Sequence, residues 1–408
     1  MRSFPQELRA SLEIIYQIVM NNDFTKIIPK EWQIKKVKDV CELGRGRVIS
    51  KNEIRGNLGN FPVYSSQSMN NGEMGRLKTF DFDGEYVTWT TDGAYAGTVF
   101  YRNEKFNCTN VCGTLKARVD NLNMKFLSLA LSCIAEKYVV KTGNPKLMNN
   151  IMAEIPVLLP PIKEQNKIAE ILSCVDEEIE KVDQEIKKTE ELKRGLMAEL
   201  LTKGIGHKKF KKIKIKEISE VTSSKRVMVS DYVNEGIPFY RSTEIIKKSK
   251  NLPIINSLHI PLEKFNFFKD RFGAPEKGDL LVTAVGTIGD VYMVQDEIFY
   301  FKDGNSIWIR KIKDYILPEY LRVILGSNFY REKLNNIAGG SSQKALTIQK
   351  LGNVEIPISS ITEQKKITEI LSEVDNKINI NKQIKNKLAE LKRGLMQDLL
   401  SGRVRTVV

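Results

Sequence analysis

The chain has 408 residues, of which 41% are hydrophobic and 28% charged, and 64 Lys and Arg against 50 Asp and Glu give a net charge of +14. This length predicts two or three domains with sizeable cores, and the positive balance favours a polyanionic partner, since basic surfaces attract phosphate. The five scattered cysteines and two histidines provide too few grouped ligands for a structural zinc site. We therefore expect no bound metal and reduced thiols in a cytoplasmic protein.

Residues 1–22 predict an N-terminal helical extension. Leu8, Leu12, Ile15 and Val19 recur at helical spacing on one face. The apolar run over residues 12–20 is too short and too interrupted for a signal peptide or a membrane span. We expect the protein to have no membrane contact.

Residues 23–160 predict a first globular domain. Short β-rich runs such as residues 85–91 and 97–101 alternate with Gly, Asn and Asp turns. The domain also has many side chains that could contact DNA, with Lys and Arg for phosphates and polar groups for base edges. For any single one of them, a solvated surface loop is the alternative. The candidates are Arg45, Arg47, Lys51, Arg55, Ser66, Gln67, Asn70, Arg76, Asn144 and Lys146.

The chain contains an internal repeat. Residues 164–179 read EQNKIAEILSCVDEEI, and residues 363–378 read EQKKITEILSEVDNKI. The sequence LKRGLM occurs at residues 192–197 and again at residues 391–396, and both matches have the same offset of 199 residues. Two matches in one register indicate a duplication of the chain.

Each repeated segment predicts a long helix, one over residues 161–205 and one over residues 359–408. Apolar residues step by three and four along both, as in a coiled coil, and each helix is the obvious partner of the other. The first seam is Ile168, Leu172, Val175, Ile179, Val182 and Ile186. The second is Ile367, Leu371, Val374 and Ile378, continued after a phase shift by Ile384, Leu388, Leu391, Leu395 and Leu399.

Residues 206–358 predict a second globular domain with its own set of candidates for DNA contact. Gly286–Gly289 resembles part of a phosphate loop but lacks the Lys-Ser/Thr ending, so a β-turn is the better interpretation. The DNA-contact candidates are Lys225, Arg226, Arg241, Ser242, Thr243, Ser342, Gln343 and Lys344.

The repeated LKRGLM segment predicts a docking surface. Its glycine costs about 1 kcal/mol relative to Ala within a helix, which suggests close approach of another backbone. Glu164, Glu170 and the charged residues of this segment are expected to face away from the helix pair. Two similar surfaces imply two copies of one partner. The candidates are Lys193, Arg194, Gly195, Met197, Lys392, Arg393, Gly394 and Met396.

Several segments together resemble the specificity subunit of Type I restriction–modification systems. The most specific are LPPIKEQNKIAEILS at residues 159–173, ITEQKKITEILS at residues 361–372 and the twin LKRGLM. Weaker matches are Ile28–Trp32, Gly236–Arg241 and Gly339–Leu346, whereas residues 1–22 depart from the family pattern.

The resemblance implies an α+β fold with two β-rich target-recognition domains, separated by two long helices that form an antiparallel coiled coil with a pseudo-twofold repeat. Each domain would read one half of a bipartite double-stranded DNA site. Gln343 is the best match to the family's reading positions, and Asn144 occupies the equivalent place in the first copy. Either side chain can present a paired donor and acceptor to adenine.

The resemblance also implies partners. The helices would dock two copies of the methyltransferase subunit, which would bind S-adenosylmethionine, and a restriction subunit would join the full complex. This chain itself would bind no cofactor and have no catalytic site.

Two other functions compete with this interpretation. The first is an enzyme, either a nuclease or a DNA methyltransferase acting alone. A methyltransferase should show an Asn/Asp-Pro-Pro-aromatic tetrad, but Leu precedes Pro160-Pro161 and Ile follows it. A metal-dependent nuclease should group carboxylates with a Lys, but residues 276–279 (EKGD) are a turn-like fragment without supporting acids. A coiled-coil adaptor with incidental basic charge is the second alternative, and two unlike polar domains argue against it.

Overall fold

The computed structural model describes residues 28–67, 69–205, 210–339 and 344–406. The expected N-terminal extension over residues 1–22 lies outside the described residues, as do Ser342 and Gln343.

Helices and short strands alternate along the chain. The helices are α1 (Val37–Val40), α2 (Lys51–Gly56), α3 (Met124–Ile134), α4 (Asn149–Glu154), α5 (Ile162–Lys203), α6 (Ile215–Ile218), α7 (Ser242–Ser249), α8 (Leu262–Phe272), α9 (Pro318–Gly326), α10 (Asn328–Ile337), α11 (Ile348–Gly352) and α12 (Ile361–Leu400). The strands are β1 (Gln33–Lys36), β2 (Cys41–Arg45), β3 (Phe61–Tyr64), β4 (Glu73–Leu77), β5 (Glu85–Thr90), β6 (Val99–Asn103), β7 (Asn107–Cys108), β8 (Cys112–Ala117), β9 (Pro156–Leu159), β10 (Lys211–Lys214), β11 (Glu220–Thr222), β12 (Ile237–Tyr240), β13 (Leu258–Ile260), β14 (Leu280–Thr283), β15 (Val291–Met293), β16 (Tyr300–Phe301), β17 (Ser306–Arg310) and β18 (Glu355–Ile358).

The chain divides into two compact units. Unit 1 contains the residues up to Asp183 and those from Gln383 on, and unit 2 is Gln184–Lys382. The division passes through both long helices, whereas the sequence predicted each helix as a segment of its own.

The described residues of unit 1 form three small sheets. The first pairs β1 with β9, the second has the antiparallel order β2-β8-β5-β6, and the third has the order β4-β3-β7 with β3 and β7 parallel. Val87 of β5 and Leu115 of β8 are buried in one core. Leu127 and Leu131 of α3 belong to the same core. The side chain of Asn123 accepts the amide of Phe126 and so caps α3.

Unit 2 repeats this topology with different side chains. Its sheets are β10 with β18, β11-β17-β14-β15 and β13-β12-β16, where β12 and β16 are parallel. Leu280 and Val282 of β14 are buried against Tyr320 and Ile324 of α9. The predicted duplication therefore extends through the globular domains, where the two sequences barely align.

The long helices run antiparallel within each unit, as predicted. In unit 1, Asp176 of α5 pairs with Lys392 of α12, and Asp183, seven residues later, pairs with Lys385, seven residues earlier. In unit 2, Lys193 pairs with Asp375. Opposite steps along the two helices define the antiparallel direction.

Most of the predicted seam is buried or half-buried, but two positions were wrong. Ile384 is 41% exposed and Leu391 is 52% exposed. Leu192, the counterpart of Leu391 in the first copy, is 56% exposed. The seam after the phase shift is therefore narrower than the apolar pattern suggests, because a helix has more apolar positions than its partner helix can cover.

Glu164 was expected on an outer face and is instead fully buried in unit 1. It accepts a hydrogen bond from the indole of Trp32 at 3.0 Å and a bidentate pair from Arg405 at 2.8 and 2.9 Å. Burial opposes ionisation, but these donors hold the pKa of Glu164 below its usual value. Its repeat counterpart Glu363 accepts the backbone amide of Ile205, just after α5 ends.

Candidate nucleic-acid interface

Two loops of unit 1 lie side by side at one end of its four-stranded sheet. The hairpin loop, residues 91–98, joins β5 to β6, and the exit loop, residues 140–146, leads toward α4. The exit loop is closed by hydrogen bonds in both directions between Val140 and Lys146, at 2.8 and 3.0 Å. The amide of Gly93 donates to the carbonyl of Pro145 at 2.9 Å and so ties the two loops together.

Asp92 of the hairpin loop lies close to two basic residues that were predicted to contact DNA. Its carboxylate lies 3.3 Å from the guanidinium of Arg45 and 3.8 Å from the ammonium of Lys146. It also accepts the hydroxyl of Thr91 at 2.6 Å. Arg45 and Lys146 were predicted from the sequence but Asp92 was not, although an Asp-Gly pair between two strand-like runs is a known hairpin signal.

An open pocket of about 590 Å³ lies next to this cluster. It brings the predicted Lys51, Ser66 and Gln67 together with residues 92–95 of the hairpin loop. Gln67 donates its side-chain amide to the carbonyl of Glu73. Residues far apart in the chain thus form one polar surface.

The loop that follows β3 ends in a left-handed turn. Asn70 and Asn71 have φ values of 48° and 54°, and both side chains are exposed. Below them Arg102 is buried and donates to the carbonyl of Asn71 at 2.6 Å. Burial lowers the pKa of Arg102 from its ordinary value. Nothing in the sequence around Arg102 indicates this role.

Three other basic candidates of unit 1 lie apart from the pocket lining. Arg47 pairs with Glu53 at 2.7 Å and with Asp81 at 2.9 Å. Arg76 makes a bidentate pair with Glu73 at 2.7 and 3.0 Å. Hydrogen bonds with these carboxylates raise the pKa of both guanidinium groups. Arg55 is exposed on α2, and Asn144 is exposed in the exit loop.

Unit 2 has the same pair of loops with different residues. Residues 284–290 join β14 to β15, which confirms the predicted turn at Gly286–Gly289. The exit loop of unit 2 is closed by hydrogen bonds between Gly339 and Ala345, at 2.7 and 3.1 Å. The amide of Leu346 donates to the carbonyl of Ala284 at 2.8 Å, as Leu147 does to Thr91 in unit 1. Lys344 is exposed.

The other candidates of unit 2 are spread over several elements. Arg241 at the start of α7 pairs with the buried Glu244 at 2.9 Å. Burial opposes ionisation of Glu244, but hydrogen bonds from Arg241 hold its pKa below the usual value. Ser242 donates to the carbonyl of Asn305 at 3.2 Å, and Thr243 is exposed.

Lys225 and Arg226 form a further group. The ammonium of Lys225 lies 4.7 Å from the ring centroid of Phe272 and lines a separate pocket of about 690 Å³. Arg226 is largely exposed and pairs with Asp303 at 3.2 Å. Lys225 thus lies beside the end of α8, and Arg226 lies beside the segment between β16 and β17.

The predicted docking residues separate into two groups. Lys193 and Lys392 were expected on the outer face, but they pair with Asp375 at 2.5 Å and Asp176 at 2.6 Å, across the helix pair. Met197 and Met396 pack partly against the cores of their units. A Cβ at Gly195 or Gly394 would meet no atom of residues 28–67, 69–205, 210–339 or 344–406 within 4 Å. The outward-facing candidates are thus Arg194, Gly195, Arg393 and Gly394.

The cysteines are free, and Cys41, Cys108 and Cys112 are buried. Within residues 28–67, 69–205, 210–339 and 344–406, no three His, Cys, Asp or Glu side chains are grouped as metal ligands. None of the helices described in those ranges is long and apolar enough to cross a membrane.

Two domains of one topology, each with a hairpin loop beside a polar exit loop and each packed on a segment of a paired-helix scaffold, define a duplicated recognition protein. The chain belongs to the family of the Type I restriction modification DNA specificity domain, whose model matches residues 29–191 and 207–390. Its function is sequence-specific DNA recognition in type I restriction–modification, with two domains for a site in two parts. The family is generally non-catalytic. Membership in a family of DNA specificity domains also argues against a coiled-coil adaptor with incidental basic charge.

Relatives extend over most of the chain. S.MpnORF507P of Mycoplasma pneumoniae, named as a type I specificity subunit, is 32% identical over 338 residues, which are 82% of this chain and 87% of the relative. The MjaVIII specificity subunit of Methanocaldococcus jannaschii is 24% identical over 96% of this chain and 98% of its own. The crystal structure of a type I S subunit from M. genitalium has the same fold, with a TM-score of 0.61 at 19% identity, and covers 92% of this chain and 97% of that one.

Proposed function

We propose that units 1 and 2 each read one half of a bipartite double-stranded DNA site through the hairpin loop and the exit loop. The observation that supports this most directly is a shared backbone frame of the two loops. In each unit, a 2.8 Å backbone hydrogen bond joins the residue just after the exit loop to the first residue of the hairpin loop. The frame has Asp92 and Lys146 in unit 1 but Val285 and Ala345 in unit 2. One frame with different side chains suits two readers of different sequences.

The exposed residues of unit 1 divide into two roles in this proposal. Lys51 and Arg55 contact phosphates, and Asn144 in the exit loop contacts a base edge. Gln343 contacts a base edge for unit 2, because it occupies the position in the repeat that is equivalent to Asn144. The remaining contacts in the proposal come from Arg45, Arg47, Ser66, Gln67, Asn70, Arg76, Lys146, Lys225, Arg226, Arg241, Ser242, Thr243, Ser342 and Lys344.

The scaffold helices dock two copies of the methyltransferase subunit, one at each LKRGLM segment. The open space above Gly195 and Gly394 favours contact with a partner backbone there, with the exposed Leu192 beside it. The chain has no catalytic site, and S-adenosylmethionine binds to the partner. The complete complex also includes the restriction subunit and acts in the cytoplasm.

Methylation mapping tests this proposal. The chain is co-expressed with its methyltransferase subunit, and methylated sites are mapped on genomic DNA. We expect a motif in two parts with a fixed gap. Asn144→Ala should relax one half-site, and Gln343→Ala should relax the other.

Asn103→Ala provides a matched control, because Asn103 is exposed at the opposite end of the β5–β6 hairpin. It should leave the motif unchanged. A contiguous motif, or relaxation of the same half-site by both loop variants, would contradict two separate readers.

A further inference from the structure

Arg102 of β6 is a buried charged residue of unit 1 that contacts an exposed polar turn. Its side chain is only 2% exposed, and its guanidinium carbon lies 3.4 Å from the ring centroid of Tyr64. It donates to the hydroxyl of Thr88 at 3.3 Å and to the carbonyl of Asn71 at 2.6 Å. Among the described residues, no carboxylate forms an ion pair with it.

Burial of a guanidinium without a carboxylate partner is costly, so the contacts that Arg102 makes instead require an explanation. The contact with Asn71 holds three consecutive residues in the left-handed region, with φ of 48° at Asn70, 54° at Asn71 and 83° at Gly72. Residues with a side chain adopt this conformation uncommonly, Asn more often than most. A Cβ at Gly72 would lie 3.3 Å from the guanidinium of Arg102, so the turn sits directly on the buried charge.

Unit 2 has a different arrangement at the corresponding place. The two hairpins can be matched because Gly97 donates to Thr90 at 2.9 Å and Gly289 donates to Thr283 at 3.0 Å. The position that corresponds to Arg102 is then Val294, which is buried with aromatic residues. Helix α7 replaces the turn between β12 and β13. The buried arginine is therefore a feature of unit 1 and not of the shared frame.

We infer that Arg102 is a positioning residue for DNA recognition by unit 1. It fixes the turn at Asn70–Gly72 so that the exposed side chains of Asn70 and Asn71 face the first half-site. This inference rests on the proposed reading of DNA by the loops of unit 1. Without the guanidinium, the carbonyl of Asn71 loses its buried donor, and the turn relaxes from its left-handed conformation.

The test uses the full chain in complex with the methyltransferase subunit. Affinity is measured for the mapped DNA site and for duplexes with the first, the second or both half-sites scrambled. Arg102→Met should reduce discrimination at the first half-site by about tenfold, the equivalent of about 1.4 kcal/mol, and leave that at the second within about twofold. Arg102→Lys retains the charge but loses the planar fork, so it should also lose discrimination at the first half-site.

Leu115→Ala is the matched control, because Leu115 is fully buried in the core on the other face of the same sheet. It should lower the unfolding temperature of unit 1 but retain discrimination at the first half-site. Equal losses in Arg102→Met and Leu115→Ala would assign Arg102 a purely structural role and overturn the inference, as would full discrimination in Arg102→Met. A wild-type complex that discriminates at neither half-site would overturn the proposed function itself.

Discussion

The ammonium of Lys392 lies 2.6 Å from the carboxylate of Asp176 in unit 1. The repeat places the same relationship in unit 2, where Lys193 lies 2.5 Å from Asp375 with the helices exchanged. The duplicated sequence thus forms the same inter-helix ion pair twice, once in each unit.

These two ion pairs should have equal and modest coupling energies. Their side chains are between 25% and 46% exposed, so we expect about 0.5 kcal/mol for each pair. Double-mutant cycles with Asp176→Asn and Lys392→Met, and with Asp375→Asn and Lys193→Met, measure both by denaturant unfolding. The coupling should fall in about 1 M salt, where charges are screened within about 3 Å. A coupling that is insensitive to salt would contradict an electrostatic origin.

Glu164→Gln should destabilise unit 1 in a pH-dependent way. The variant loses the charged pair between this buried carboxylate and Arg405. We expect the free energy of unfolding to fall by about 2 kcal/mol. This is less than for a fully buried pair, because Arg405 is one-third exposed. Because the folded pKa of Glu164 is depressed, its stabilisation is complete above the ordinary value of 4.5 and is lost as the pH falls through the lower folded value.

Unfolding temperatures measured from pH 3 to 7 check this prediction. The difference between wild type and Glu164→Gln should be largest near neutral pH and should shrink in acid. Glu170→Gln, an exposed change in the same helix, should have little effect at any pH. A difference that grows in acid would show that the sign is wrong.

Lys51→Ala should weaken DNA binding without changing the sequence that is read. Loss of one phosphate contact should reduce the slope of log affinity against log salt by about 1. Lys105→Ala is the control, since Lys105 is exposed at the far end of the β5–β6 hairpin, and its slope should match that of wild type. A changed methylation motif in Lys51→Ala would assign Lys51 to base reading instead.

The two docking surfaces should tolerate only small side chains at positions 195 and 394, where Gly195 and Gly394 stand. Because a Cβ at either position meets no atom of the described residues within 4 Å, Ala should stabilise the helix by about 1 kcal/mol. A leucine at either position should prevent the partner backbone from approaching the helix closely. We expect the complex with Gly195→Leu to contain one methyltransferase subunit and the complex with both leucines to contain none, as measured by mass photometry. Two subunits in the double variant would place docking elsewhere.

A shorter helix pair should shorten the gap between the half-sites. Removing residues 177–183 and 385–391 deletes a matched heptad from each helix, because Asp183 pairs with Lys385. Seven residues correspond to about 10 Å of helix, or about three base pairs. Methylation mapping should show the shorter gap with both half-sites unchanged. An unchanged gap would show that the length of the helix pair does not set the distance between the half-sites.

Much of the architecture could be predicted from the sequence. The repeat at an offset of 199 residues and the apolar spacing identified both long helices and their pairing. The buried seam at Ile168, Leu172 and Ile367 followed from the same pattern. The exposure of Ile384 and Leu391 did not, because apolar periodicity gives the face of a helix but not how far its partner covers that face.

The candidate site was only partly predictable. Polar composition identified Lys51, Ser66 and Gln67, which do line one pocket. Asp92 had only a local turn signal, and Arg102 had none.

The duplication, the helix pair and the polar character of the loops follow from the sequence, because those properties depend on residue identity and on spacing between near neighbours. Which charges are buried and which loops meet depends on the packing of the folded chain. Glu164 and Arg405 are separated by 241 residues, and Arg102 lies 31 residues from Asn71. Contacts over such distances depend on how strands and helices pack, and no local pattern of residues records them.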